Sequence, residues 1–235
     1  MDGTPNTLSA NVLTAPGKAM VGERPKPFDP ITSTLIFGEH DAVLVDAMGT
    51  VAEAEALANW VALHNRNLQT IYITHSHFDH FYGLSVLLDR FPGARAIATP
   101  KTVEAMQSSF LPPLSQFARQ LFPGQIPTKL VSPQPYEQDT FTLEGHKLRI
   151  IEQGCTDSPD STSLHVPSIG LIVAGDVVYN HCRMYVGDTT PGEPKELDCG
   201  ARPVGGAEPG DCCRRSQEAW RTRLSLGDPG NQALP

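Results

Sequence analysis

Residues 73–83 read ITHSHFDHFYG, which places three histidines and an aspartate, His75, His77, Asp79 and His80, within six consecutive positions. The cluster ends residues 68–74, an apolar and β-branched run that predicts a buried strand. On extended backbone, side chains two apart leave the same side of the chain, so the rings of His75 and His77 can face one cation. Asp79 and His80, on the turn that follows, can face a second cation beside it. Imidazole and carboxylate together select zinc or a similar divalent metal over calcium or magnesium. A lone histidine is ordinarily a satisfied surface or core residue. This spacing after a strand instead signals a metal site.

The surrounding pattern predicts the fold. Residues 31–37 and 42–45 are apolar or β-branched runs separated by GEHD, which reads as a hairpin. Thr50 and Glu53 form a capping box, and Ala54, Leu57, Ala58 and Val61 share one face of a helix that ends near Asn65. Residues 81–90 predict a helix stopped by FPG, and 94–98 the next strand. Residues 108–135 are rich in Pro, Gln and aromatic side chains and read as a lid or an insertion with some helix of its own. Phe110, Leu114, Phe117, Leu121 and Phe122 either line an apolar substrate mouth or pack this insertion onto the body. Further strands are predicted at 140–143, 147–152, 163–166 and 171–174, the first two joined by a turn around Gly145. Strands and helices recurring in two similar halves imply a layered α/β arrangement.

At 235 residues, with 40% hydrophobic and 19% charged positions, the chain is expected to bury one core. Its formal net charge of -8 argues against nucleic acid as a partner. MDGTPNTLSAN shows no basic start or apolar core of a secretory signal, and the apolar runs are too short to span a bilayer. The expectation is a soluble, cytoplasmic protein without a membrane partner. Its five cysteines, an odd number in no framework-like spacing, suit a reducing compartment. From Pro191 onward Gly and Pro recur without apolar periodicity, so the expected organisation is a domain over residues 5–190 and an irregular tail over 191–235.

His75, His77, Asp79 and His80 match, residue for residue, the HxHxDH motif of the metallo-β-lactamase-fold hydrolases, which this chain resembles from about Leu8 to Thr190. EQGCTDSPDSTSLHVP is similar to that family's Gly-His-Thr loop and following strand, and GLIVAGDVVY to its strand ending in a bridging aspartate. The resemblance implies an αββα sandwich with one or two zinc ions at the sheet edges. It also implies that Asp176 bridges the metals and that Asp46, closing the strand AVLVD, supports the ligands from behind. Two departures bear on the site. Cys155 stands where the family has its third site-one histidine; it is either a thiolate ligand or a buried thiol beside a weakened site. After His181 there is no histidine to match the family's last site-two ligand, so the sandwich is expected to be C-terminally incomplete. Permissible codons for LDCGARPVGGAEPGDCCRRSQEAW, read one base later, can spell WTAALDRLAALNPETAVAGHKKPG, which holds such a histidine. That is a frameshift hypothesis, and the coding DNA decides it.

The implied activity is metal-dependent hydrolysis of a small ester, thioester, lactone or lactam by metal-bound hydroxide. His75, His77 and Cys155 would hold site one, Asp79 and His80 site two, with Asp176 shared and Asp79 also acting catalytically on the nucleophile or the leaving-group proton. The competing reading is a catalytically impaired or inactive relative, favoured by Cys155 and the missing histidine. Among the remaining histidines, His40, His64 and His146 are expected to face solvent and His165 to be structural. His181 is either an ordinary loop residue or close to the site.

Overall fold

The structure is a computed structural model that describes residues 7–15, 30–154, 156–179 and 232–233. Strands β1 (Ser9–Thr14), β2 (Thr32–Phe37) and β3 (Asp41–Val45) pair antiparallel in succession. From β3 the pairing becomes parallel through β4 (Asn67–Tyr72), β5 (Arg95–Ala98) and the short β6 (Gln134–Pro135). A second, antiparallel sheet is formed by β7 (Thr140–Leu143), β8 (His146–Gly154), β9 (Ser161–Val166) and β10 (Leu171–Val173). Gln232–Ala233 (β11) lies parallel to β1 and extends the first sheet to seven strands. No helix of the described residues is long and apolar enough to cross a membrane.

The central strands are buried on both faces, which is why their sequences are nearly continuous apolar runs. With period-two alternation, Leu35, Leu44 and Ile71 face a cluster under the helices. Ile36, Val43, Val45, Tyr72 and Ile97 face the second sheet, where Phe141, Leu143, Leu148, Ile150, Leu164 and Val166 meet them. Helix α1 (Val51–Leu63) begins at the predicted capping box: the Thr50 side chain accepts from the Glu53 N–H, and the Glu53 carboxylate accepts from the Thr50 N–H. The described residues thus form helix, sheet and sheet layers of the expected α/β sandwich.

Several elements differ from expectation. The helix predicted over 81–90 is two pieces, α2 (Phe78–Phe81) and α3 (Leu84–Arg90), broken at Tyr82–Gly83. The cause is close approach: the Gly83 N–H donates to the Met48 carbonyl at 2.9 Å, and a Cβ on Gly83 would lie 2.1 Å from the Ala47 carbonyl oxygen. Gly83→Ala is therefore expected to lower stability by about 2–3 kcal/mol, read from the denaturant midpoint, since the obstructing atom is backbone. Helix α4 (Pro100–Phe110), capped by Thr99 with Pro100 in its first turn, precedes the insertion where no helix was expected. The insertion carries α5 (Leu114–Leu121), as its composition predicts. Phe122 is buried and Phe110 and Leu121 pack on the core, whereas Leu114 and Phe117 remain about half exposed, at 47% and 53%. His40 is exposed and His165 sits in β9, both as expected. His64 is half-buried: it caps α1 and packs edge-on to Trp60 with ring centroids 4.6 Å apart, because the turn folds it back over its own helix. His146 is likewise half-buried as the first residue of β8.

Two contacts join the sheets at opposite ends. At one, the Glu144 carboxylate accepts from the backbone N–H groups of Glu39, His40 and Asp41 at 3.0, 2.7 and 2.7 Å. At the other, Thr162 donates through both its N–H (3.0 Å) and its hydroxyl (2.6 Å) to the Thr74 carbonyl. The Tyr72 hydroxyl then donates to Thr162 Oγ1 at 2.6 Å, and burial pushes the Tyr72 pKa strongly up, keeping that donor protonated. This second end is where the parallel strands β3 and β4 finish and where the histidine loop emerges.

Candidate metal centre

Asp46 follows β3 in a left-handed conformation (φ 64°), with its N–H bonded to the Tyr72 carbonyl at 2.9 Å. This turns its carboxylate toward the loop after β4. Oδ1 accepts from the Thr74 N–H at 2.9 Å, and the Thr74 hydroxyl donates to the same carboxylate at 2.9 Å to Oδ2. With its one hydrogen committed, Thr74 Oγ1 can only accept from His75 Nδ1, 3.0 Å away. That fixes the His75 tautomer and leaves the Nε2 lone pair facing the cluster. Asp46 Oδ2 also accepts from His80 Nδ1 at 2.9 Å, so one carboxylate orients two imidazoles. A carboxylate behind a ligating histidine is the usual outer support of a metal site.

The free edges of these rings converge in two groups. His75 Nε2, His77 Nδ1 and Asp157 Oδ2 form a triangle with sides of 3.1, 3.0 and 3.2 Å. Beside it stand His75, His80 and Asp176, whose ligand atoms lie within 4.8 Å of one another. His80 Nε2 is 3.2 Å from Asp176 Oδ1, and the His75 and His80 rings are 4.1 Å apart. Asp176 sits in a single helical turn after β10, its Oδ2 held by the Tyr179 hydroxyl at 2.7 Å. Asp79 lies outside both groups, with Oδ2 4.0 Å from His80 Nε2, at the rim of the second. Gly49 makes this position possible, since a Cβ there would fall 2.8 Å from the Asp79 Cα.

The structure brings His75, His77, His80 and Asp176 near one another, keeps Asp79 at the edge, and places Asp46 behind the His75 and His80 rings. Cys155 and His181 lie outside the described residues. Asp157 was not anticipated. It is fully buried (0%), in the turn between β8 and β9. The signal available was an acidic residue among Ser, Thr and Pro in GCTDSPDS, at the edge where the histidine loop ends; the cysteine two positions earlier obscured it. Its neighbour Asp160 ties this turn to the histidine loop, accepting from Ser76 Oγ at 2.9 Å and Ser158 Oγ at 2.8 Å.

The electrostatics match a cation site. Burial alone would raise the pKa of Asp157 and Asp176; His75 and His77 beside the first, and His80 beside the second, outweigh it and hold both carboxyls well below the usual range. Burial, reinforced by His80, lowers the His75 pKa. At His80 burial opposes the charged form, but Asp176 and Asp46 prevail and hold its pKa well above the ordinary value. Two of the buried atoms in these groups, His80 Nε2 and Asp157 Oδ2, have no hydrogen-bond partner among the described residues although each lies 3.0–3.2 Å from a polar side-chain atom of its group. Donors that are close but misaligned for hydrogen bonds suit atoms that share a cation.

Comparison with known proteins bears on the family and the fold. The family model described as the metallo-beta-lactamase superfamily matches residues 27–224. A hydroxyacylglutathione hydrolase of Glaesserella parasuis serovar 5 (strain SH0165) is 28% identical over 155 residues, covering 64% of this chain and 52% of that protein. The chain therefore spans about half the length of this curated relative. A metallo-beta-lactamase family protein from Thermus thermophilus superposes with a TM-score of 0.60 at 20% identity, covering 92% of this chain and 81% of that one. A metallo-beta-lactamase from Pontibacter korlensis gives 0.57 at 16% identity, covering 87% and 80%. At such identities these two structures establish the shared fold.

Proposed function

Because the chain belongs to the metallo-beta-lactamase superfamily, we propose that it is a zinc-dependent hydrolase of a small ester, thioester, lactone or lactam, acting in the cytoplasm. The observation that carries this reading is the convergence of His75, His77, His80 and Asp176, from two sheets, on a common edge. The curated relative is named for hydrolysis of an acylglutathione, which is a thioester, and this favours thioesters within the class. His75 and His77, with a third donor from the loop after β8, would hold one ion, and His80 and Asp79 a second, with Asp176 available to either. When bound, such ions polarise a carbonyl and acidify water to a pKa of about 7.

The protein's own groups supply the rest. Asp46 and Thr74 hold the His75 and His80 rings so that their lone pairs face the centre. The Tyr179 hydroxyl fixes Asp176 by its outer oxygen and leaves the inner one for His80. Asp79, at the rim, orients the attacking water or carries its proton to the leaving group. Asp79→Ala is expected to lower kcat on a chromogenic ester, thioester or cephalosporin by about 10²–10⁴-fold while metal at the His75–His77 group is retained. Unchanged turnover would remove Asp79 from the reaction. Cys155 and the absence of histidine after His181 favour the second reading, a catalytically impaired relative. Elemental analysis without stoichiometric metal, together with no turnover on any of the three substrates, would establish it.

A further inference from the structure

The triangle of His75 Nε2, His77 Nδ1 and Asp157 Oδ2 is nearly equilateral. An ion about 2.1 Å from each corner, the distance usual for nitrogen and carboxylate ligands, would sit roughly 1 Å off the triangle's plane with ligand–metal–ligand angles of about 95°. That is an open three-ligand face. The Asp157 carboxylate is aimed there by its other oxygen, which accepts from Ser161 Oγ at 2.7 Å and Thr156 Oγ1 at 3.1 Å. Oδ2 is left buried, with no hydrogen-bond partner among the described residues. Nothing in this arrangement calls for sulfur.

We propose that Asp157, and not Cys155, is the third ligand of site one, so that the ion is held by two imidazoles and one carboxylate. The inference rests on the metallo-hydrolase reading and specifies the site within it. Two histidines with one carboxylate form a well-attested catalytic set with open positions. Relative to three neutral imidazoles it adds one negative charge beside the cation, and it makes the site harder than a thiolate would.

Cobalt(II) titration of the full chain after chelation of resident metal tests this, because cobalt–thiolate bonds give an intense near-ultraviolet charge-transfer band that cobalt–carboxylate bonds lack. The wild type should bind cobalt without that band, and Cys155→Ser should leave affinity and spectrum unchanged. Asp157→Asn should weaken uptake at the first site by at least about 10–100-fold with the far-ultraviolet circular dichroism retained. Should Asp157→Asn fail to fold, Asp157→Cys in the Cys155→Ser background decides: the band should appear where sulfur has been put at the triangle, and its absence overturns the proposal. A thiolate band in the wild type that vanishes in Cys155→Ser, or wild-type affinity in Asp157→Asn, also overturns it while leaving the hydrolase reading standing. A wild type that takes up no cobalt overturns both.

Discussion

Exhaustive chelation is expected to lower hydrolysis at least about 10³-fold, and added zinc to restore it. Lewis-acid stabilisation of the transition state is worth several kcal/mol, and each 1.36 kcal/mol is about tenfold in rate. The described site offers little in its place: Asp157, Asp176 and Asp79 are carboxylates that would repel a developing oxyanion, and the charge of a protonated His80 is neutralised between Asp46 and Asp176. The same treatment should lower the melting temperature, since an ion that binds only the folded chain stabilises it by mass action. Turnover that survives chelation in a sample shown by elemental analysis to be metal-free would remove the proposed chemistry.

Asp46→Asn is expected to weaken metal uptake at both groups by about 10–100-fold and to destabilise the fold by about 3 kcal/mol. The carboxylate accepts from the Thr74 N–H, the Thr74 hydroxyl and His80 Nδ1, all buried. An amide has an acceptor at one end only, so its NH₂ must meet either the Thr74 N–H or His80 Nδ1. In the second case the His80 proton moves to the face that should bind metal. Calorimetric titration with zinc and a denaturant melt read the two effects separately. Thr74→Val is a control that breaks only the His75 branch. Wild-type uptake by Asp46→Asn would show that the imidazoles are oriented without it.

The fold was legible where local pattern and burial agree. Apolar runs such as Ala42 to Val45 mark strands covered on both faces, and the Thr50–Glu53 box marks the start of α1 to the residue. The break at Gly83 was not legible, because it depends on the Ala47 carbonyl, 36 positions away in sequence and adjacent in space. Helix α4 was missed because its start signals, Thr99 and Pro100, follow a strand directly and its face is only weakly apolar. In the site, the spacing of His75, His77 and His80 was informative because the short loop that carries all three, past the end of β4, is local. Asp176 and Asp46 came through the family resemblance. Asp157 depends on how the turn between β8 and β9 folds under the histidine loop, which no local pattern encodes.

The candidate ligands come from both sheets: the histidines follow strands of the first, Asp157 and Asp176 strands of the second. Those sheets are stapled at the site by Thr162 on Thr74 and at the far end by Glu144 across the β2–β3 turn. Pinning both ends resists sliding of one layer on the other, so an ion entering the proposed centre would meet donors already close together. The entropy of assembling them would already be lost when the chain folds, so the distant Glu144 would act as ballast for the affinity of the proposed centre on the opposite rim.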